Sequence, residues 1–94
     1  MTGKRRAQLR KYANGLETIF QIGKGGIDGE LLSAVDSALT KRELIKLRVL
    51  ENSMLTAREA CEEICEQLAA EPIQTIGSRF VIYRQNPEID AFAE

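Results

Sequence analysis

Ninety-four residues, 44% hydrophobic and 29% charged, describe one small folded domain with a single core and no room for a second. No apolar run approaches the length of a membrane span, and the opening Met1-Thr2-Gly3-Lys4-Arg5-Arg6 lacks the apolar block of a secretion signal, so a cytoplasmic protein is expected. There is no histidine, which removes the commonest general base and the commonest metal ligand together; neither an enzyme nor a bound metal or other cofactor is expected.

The net charge of −1 hides a division along the chain. Residues 1–48 carry ten Lys/Arg against five Asp/Glu, net +5, and residues 49–94 carry three against nine, net −6. Such asymmetry points to one basic and one acidic surface and to a polyanionic partner. Its plainer alternative is charge that only solvates exposed faces.

In chain order, residues 4–14 read as a helix. Leu9, Tyr12, Ala13 and Leu16 give its apolar side, and Lys4, Arg5, Arg6, Arg10 and Lys11 crowd the rest without one acid among them. Arg6 and Arg10 repel at i,i+4, a cost that makes sense beside something negative. Asn14-Gly15 ends the helix, and Thr18 to Ile22 is a strand. After the glycines, Asp28 is placed to cap a helix over 29–40 whose stripe is Leu31, Leu32, Val35, Ala38 and Leu39, with Ile27 and Leu32 as a hydrophobic staple.

From Glu43 to Leu50 the period becomes two: Ile45, Leu47 and Val49 face one way, Lys46 and Arg48 the other. Thr56 and Glu59 spell a capping box for a third helix, apolar along Ala57, Ala60, Cys61, Ile64, Cys65 and Leu68, acidic along Glu59, Glu62, Glu63 and Glu66. Pro72 is expected to close it. The pair Cys61 and Cys65, one turn apart, is read as buried packing, since two thiols fall short of a structural zinc site. Ile73 to Ile76 and Arg79 to Arg84 are strands joined at Gly77-Ser78 by a tight type II′ turn. The acidic tail from Gln85 to Glu94 is expected to be loosely held. The order is an N-terminal helix followed by β-α-β-α-β-β, an α/β (α+β) chain with a mixed four-stranded sheet packed with helices.

The stretch around which this is organised is Ile22-Gly23-Lys24-Gly25-Gly26-Ile27. A Walker phosphate loop would need Gly-Lys-Ser/Thr further on, where Ile27, Asp28 and Gly29 stand, and a dinucleotide fingerprint would need glycine at position 28. What remains is G-x-x-G, Gly23 to Gly26, of the kind that clamps a nucleic-acid backbone in KH-type modules. A tight turn that serves only chain geometry is the competing reading. With Asp28 at the helix end, a phosphate here would be held by loop N–H groups and Lys24 more than by the helix dipole.

Four blocks in order, Leu9-Arg10, Gln21-Ile22-Gly23-Lys24-Gly25-Gly26-Ile27, Glu43-Leu44-Ile45-Lys46-Leu47-Arg48, and Ile76-Gly77-Ser78-Arg79 to Tyr83-Arg84, resemble the CRM domain. That family is an RNA-binding module named for chloroplast RNA splicing and ribosome maturation, and the likeness spans about residues 4–85. It implies a fold similar to the C-terminal domain of translation initiation factor 3 and a role on large-subunit ribosomal precursors, as for single-domain bacterial members. By the same resemblance the RNA-binding loop falls on Gly23, Lys24, Gly25 and Gly26, and the basic helix patch on Lys4, Arg5, Arg6, Arg10 and Lys11. The tail departs from the family pattern and is expected to reach the basic half when RNA is absent.

Together these readings give a single-domain, monomeric RNA-binding protein that contacts precursor ribosomal RNA, with no membrane or small-molecule partner. Lys46 and Arg48 are added to the RNA-binding residues because both leave the sheet in one direction. The rival reading is a protein-interaction module whose basic helix docks on an acidic partner.

Overall fold

The computed structural model of the protein describes residues 1–92. Helix α1 (Gly3–Ala13) starts where the Thr2 hydroxyl accepts the Arg5 N–H at 3.1 Å, and it buries Leu9 and Ala13. Strand β1 (Thr18–Ile22) runs into the glycine turn. Helix α2 (Gly29–Arg42) is capped as its sequence suggests, with the Asp28 carboxylate accepting the Leu31 N–H at 2.8 Å. It runs two residues beyond 40 and stops at Glu43, whose φ of 63° breaks the helix, so strand β2 (Leu44–Val49) begins one residue later than expected.

One 3-10 turn, Glu51–Ser53, precedes helix α3 (Ala57–Leu68). Both halves of its capping box form: the Glu59 N–H donates to the Thr56 hydroxyl at 3.1 Å and the Thr56 N–H to the Glu59 carboxylate at 2.9 Å. The hydrogen bonds from Thr56, backbone first, lower the Glu59 pKa. Pro72 does not close this helix. Ala69, at φ 55°, turns the chain left-handed, and Pro72 lies inside strand β3 (Glu71–Ile76). The sheet order β1-β2-β4-β3 makes β3 an edge, where a missing N–H costs no ladder bond, and a bulge follows between Pro72 and Gln74. Gly77, at φ 59°, with Ser78 outside the positive-φ region, forms the II′-type hairpin turn into β4 (Arg79–Tyr83).

β1 and β2 are parallel, and β4 is antiparallel to both β2 and β3. The sheet divides two cores. On one face α2 and α3 cover Ile22, Ile45, Leu47, Val49, Phe80 and Ile82. On the other, α1 places Leu9 and Ala13 against Leu44, Ile73, Val81 and Tyr83. The acidic outer side of α3 therefore lies across the sheet from the basic α1.

The tail is not loosely held. Glu43 is fully buried, and its carboxylate accepts the Asn86 N–H at 2.9 Å and the Ala91 N–H at 2.5 Å. The Asn86 side chain donates to the Thr40 carbonyl at 2.7 Å, the Phe92 carbonyl accepts from Arg5, and the Phe92 ring meets Tyr12 edge-on at 5.0 Å. A buried carboxylate needs donors, and the tail supplies them. Ala93 and Glu94 lie outside the described residues.

Candidate nucleic-acid interface

Gly23 to Gly26 close a tight turn, with the Gly26 N–H donating to the Gly23 carbonyl at 2.9 Å and Lys24 and Gly25 exposed at its centre. Gly26, at φ 66°, is the glycine of this turn that the backbone requires. Gly25 is different: its φ is not positive, and a Cβ there would touch Asp28 Oδ2 at an ordinary 3.7 Å. The fold has no need of glycine at 25, and the missing side chain leaves room for another backbone to come close.

Three connections gather at this end of the sheet. The Leu50 N–H donates to the Ile22 carbonyl at 2.9 Å, and the Val49 N–H to the Ser78 carbonyl at 2.7 Å. The glycine turn, the end of β2 and the β3–β4 hairpin thus form one rim. Behind it, on the α1 face, register aligns Gln21 with Arg48, Arg48 with Arg79 and Arg79 with Ile76. That row crosses four strands, about 14 Å at ordinary strand spacing. The next row holds Thr18, Lys46, Val81 and Gln74. Because α1 ends at Ala13, it still buries Val81 but leaves the row of Gln21, Arg48, Arg79 and Ile76 exposed or half-exposed.

The expected cations fall into groups. Lys24 stands at the turn, and Lys46 and Arg48 are half-buried on the open face behind it. Lys4, Arg10 and Lys11 are exposed on α1. Arg5 and Arg6 are engaged within the protein, at the far end of α1. Arg5 donates to the Tyr83 hydroxyl at 3.3 Å and lies 5.6 Å from the centre of that ring; Arg6 donates to the Pro72 carbonyl at 3.0 Å and pairs with Glu71 at 3.9 Å.

The CRS1 / YhbY (CRM) domain family matches residues 1–84. This chain belongs to the CRM family. The probable RNA-binding protein YqeI of Bacillus subtilis is 36% identical over 88 residues, 94% of this chain and 92% of that one. An RNA-binding protein of Haemophilus influenzae is 28% identical over 88 residues, 94% and 89% of the two chains. The solution structure of SAV1595 from Staphylococcus aureus superposes with a TM-score of 0.70 at 39% identity, covering 92% of this chain and 90% of the other, so the two proteins share the α/β fold with its mixed sheet.

The geometry of this CRM domain adds residues that sequence reasoning missed. Arg79 is exposed beside Arg48, with Gln21 and Ile76 to either side. The signal was alternation: Arg79, Val81 and Tyr83 share one face and Phe80 and Ile82 the other. It was masked because four apolar residues follow Arg79, a pattern of strands covered on both sides.

Elsewhere the CRM domain offers little chemistry. Cys61 and Cys65 are free and buried, and the hydrogen bond to Cys61, then burial, raise the Cys65 pKa, which keeps its thiol protonated. Among the described residues no group of side chains is arranged to hold a metal, and no helix is long and apolar enough to cross a membrane.

Proposed function

We propose that this chain is a non-catalytic, monomeric, cytoplasmic RNA-binding domain that acts in ribosome assembly, contacting large-subunit precursor RNA through the Gly23–Gly26 turn and the basic surface beside it. The observation that carries this is the turn itself. Lys24 and Gly25 are exposed, Lys24 has no acidic partner among the described residues, and glycine at 25 answers no demand of the fold. Relatives named probable RNA-binding proteins across nearly the whole chain support RNA as the ligand. The ribosomal part rests on the resemblance to single-domain bacterial CRM proteins.

In mechanism, the turn lets a sugar-phosphate backbone come close, with Lys24 on a phosphate. Arg10, Lys11 and Lys4 add diffuse attraction along α1, and Lys46 and Arg48 extend it over the sheet. Phosphate contacts of this kind position RNA more than they read it. With about five phosphates neutralised, log affinity against log salt falls with a slope of about −3.5 for a single strand. Lys24→Asp combined with Gly25→Asp places two negative charges at the phosphate position while keeping Gly26, and RNA affinity is expected to collapse in a variant that melts normally. Undiminished binding by that variant would overturn the assignment of the turn.

A further inference from the structure

Arg48 and Arg79 are directly opposed on antiparallel strands and share the open face. Like charges in that relation are destabilising, and an isolated pair would ordinarily recruit a carboxylate. Here neither arginine side chain has a hydrogen bond or acidic partner among the described residues, and Arg48 Nε is buried without any acceptor. A buried, unmet donor is a cost the fold bears for no structural return.

The surroundings describe what would meet it. Beside the pair, Asn14, Lys46, Gln74, Ile76 and Arg79 line a recess of about 170 Å³. Ile76 is 64% exposed, an apolar surface, and the two amides each carry a donor and an acceptor. Lys24 is three residues from Gln21, so the turn lies within about 11 Å of the row's end. Two guanidinium groups suit the several oxygens of one phosphate, and an apolar wall with amide edges suits an unpaired base, which a duplex keeps stacked away.

We propose that Arg48 and Arg79 together hold one backbone phosphate of a single-stranded RNA segment, and that the adjoining recess takes the base of the neighbouring nucleotide. The strand then continues from the glycine turn across the open sheet face. This rests on the RNA-binding reading and adds to it a path, a ligand form and a residue, Arg79.

The test uses the full chain, a 12-nucleotide single-stranded RNA and the same sequence as a duplex, with binding measured by fluorescence anisotropy across salt concentrations. Wild type is expected to prefer the single strand. In Arg48→Gln combined with Arg79→Gln, single-strand affinity falls about tenfold at 0.1 M salt and the salt slope shrinks by about 0.7, one phosphate's share, with a smaller loss on the duplex. The melting temperature holds or rises, because a repulsion has been removed. Unchanged affinity and slope in this variant, alongside loss in the Lys24→Asp/Gly25→Asp variant, overturns the sheet-face path and leaves the turn standing. Equal losses on duplex and single strand, or a melting temperature that falls with the affinity, overturn it too. A wild type that binds neither RNA defeats the functional proposal itself.

Discussion

Glu43→Ala removes the buried acceptor that ties the tail to the junction of α2 and β2. Two hydrogen bonds to a carboxylate are lost, at 2.9 Å and 2.5 Å, each of a kind that contributes about 1.5–3 kcal/mol. The upper end is not expected, because the released Asn86 and Ala91 N–H groups regain water when the tail lifts; the net cost is about 3 kcal/mol, or about 15 °C in melting temperature for a domain of this size. The backbone bonds at this residue, from its own N–H to the Leu39 carbonyl and from the Arg84 N–H to its carbonyl, survive the substitution. Urea titrations of wild type, Glu43→Ala, a chain lacking residues 86–94, and the combination form a double-mutant cycle. Without the tail the Glu43 carboxylate has lost both donors and regains water, so Glu43→Ala is expected to cost nothing further in the shortened chain, giving a coupling of about 3 kcal/mol. Additivity within about 0.5 kcal/mol would refute the clasp.

Asp28→Asn keeps an equally good cap but removes a negative charge beside the proposed phosphate-binding turn; a like-charge repulsion of about 0.6 kcal/mol in near-aqueous dielectric is then relieved, so RNA affinity is expected to rise about threefold, by anisotropy, with no change in melting temperature. Gly26→Ala costs about 1 kcal/mol in urea because its φ of 66° is left-handed, whereas Gly25→Ala leaves stability within about 0.5 kcal/mol yet weakens RNA binding several-fold. Cys61 and Cys65 resist dithiobis(nitrobenzoate) in the native protein and both react once it is denatured; rapid labelling of the folded chain would contradict their burial.

Features whose cause is local were legible in the sequence. The Asp28 cap, the Thr56–Glu59 box and the Gly77 turn each depend on a few adjacent residues, and each is present in the structure. So is the outward direction of Lys46 and Arg48, a matter of strand period. Other features depend on which elements meet. Pro72 reads as a helix stop until β3 is known to be an edge strand. Glu43 reads as the first residue of a strand until Asn86 and Ala91 are known to need its oxygens. Arg5 and Arg6 look as available as Lys4 until α1 is laid against β3 and β4, where Tyr83 and Pro72 engage them. Arg79 becomes a neighbour of Arg48 only because β4 inserts between β2 and β3, an order that no local pattern announces.

With α1 and α3 on opposite sides of the sheet, the molecule is an electric dipole about one sheet-and-two-helices thick. In the field of a polyanion it experiences a torque as well as a pull, so it turns its cationic flank forward before contact, over a range of about 8 Å at physiological ionic strength. On the proposed RNA path the glutamates of α3 would face away from the bound strand and repel a second RNA segment.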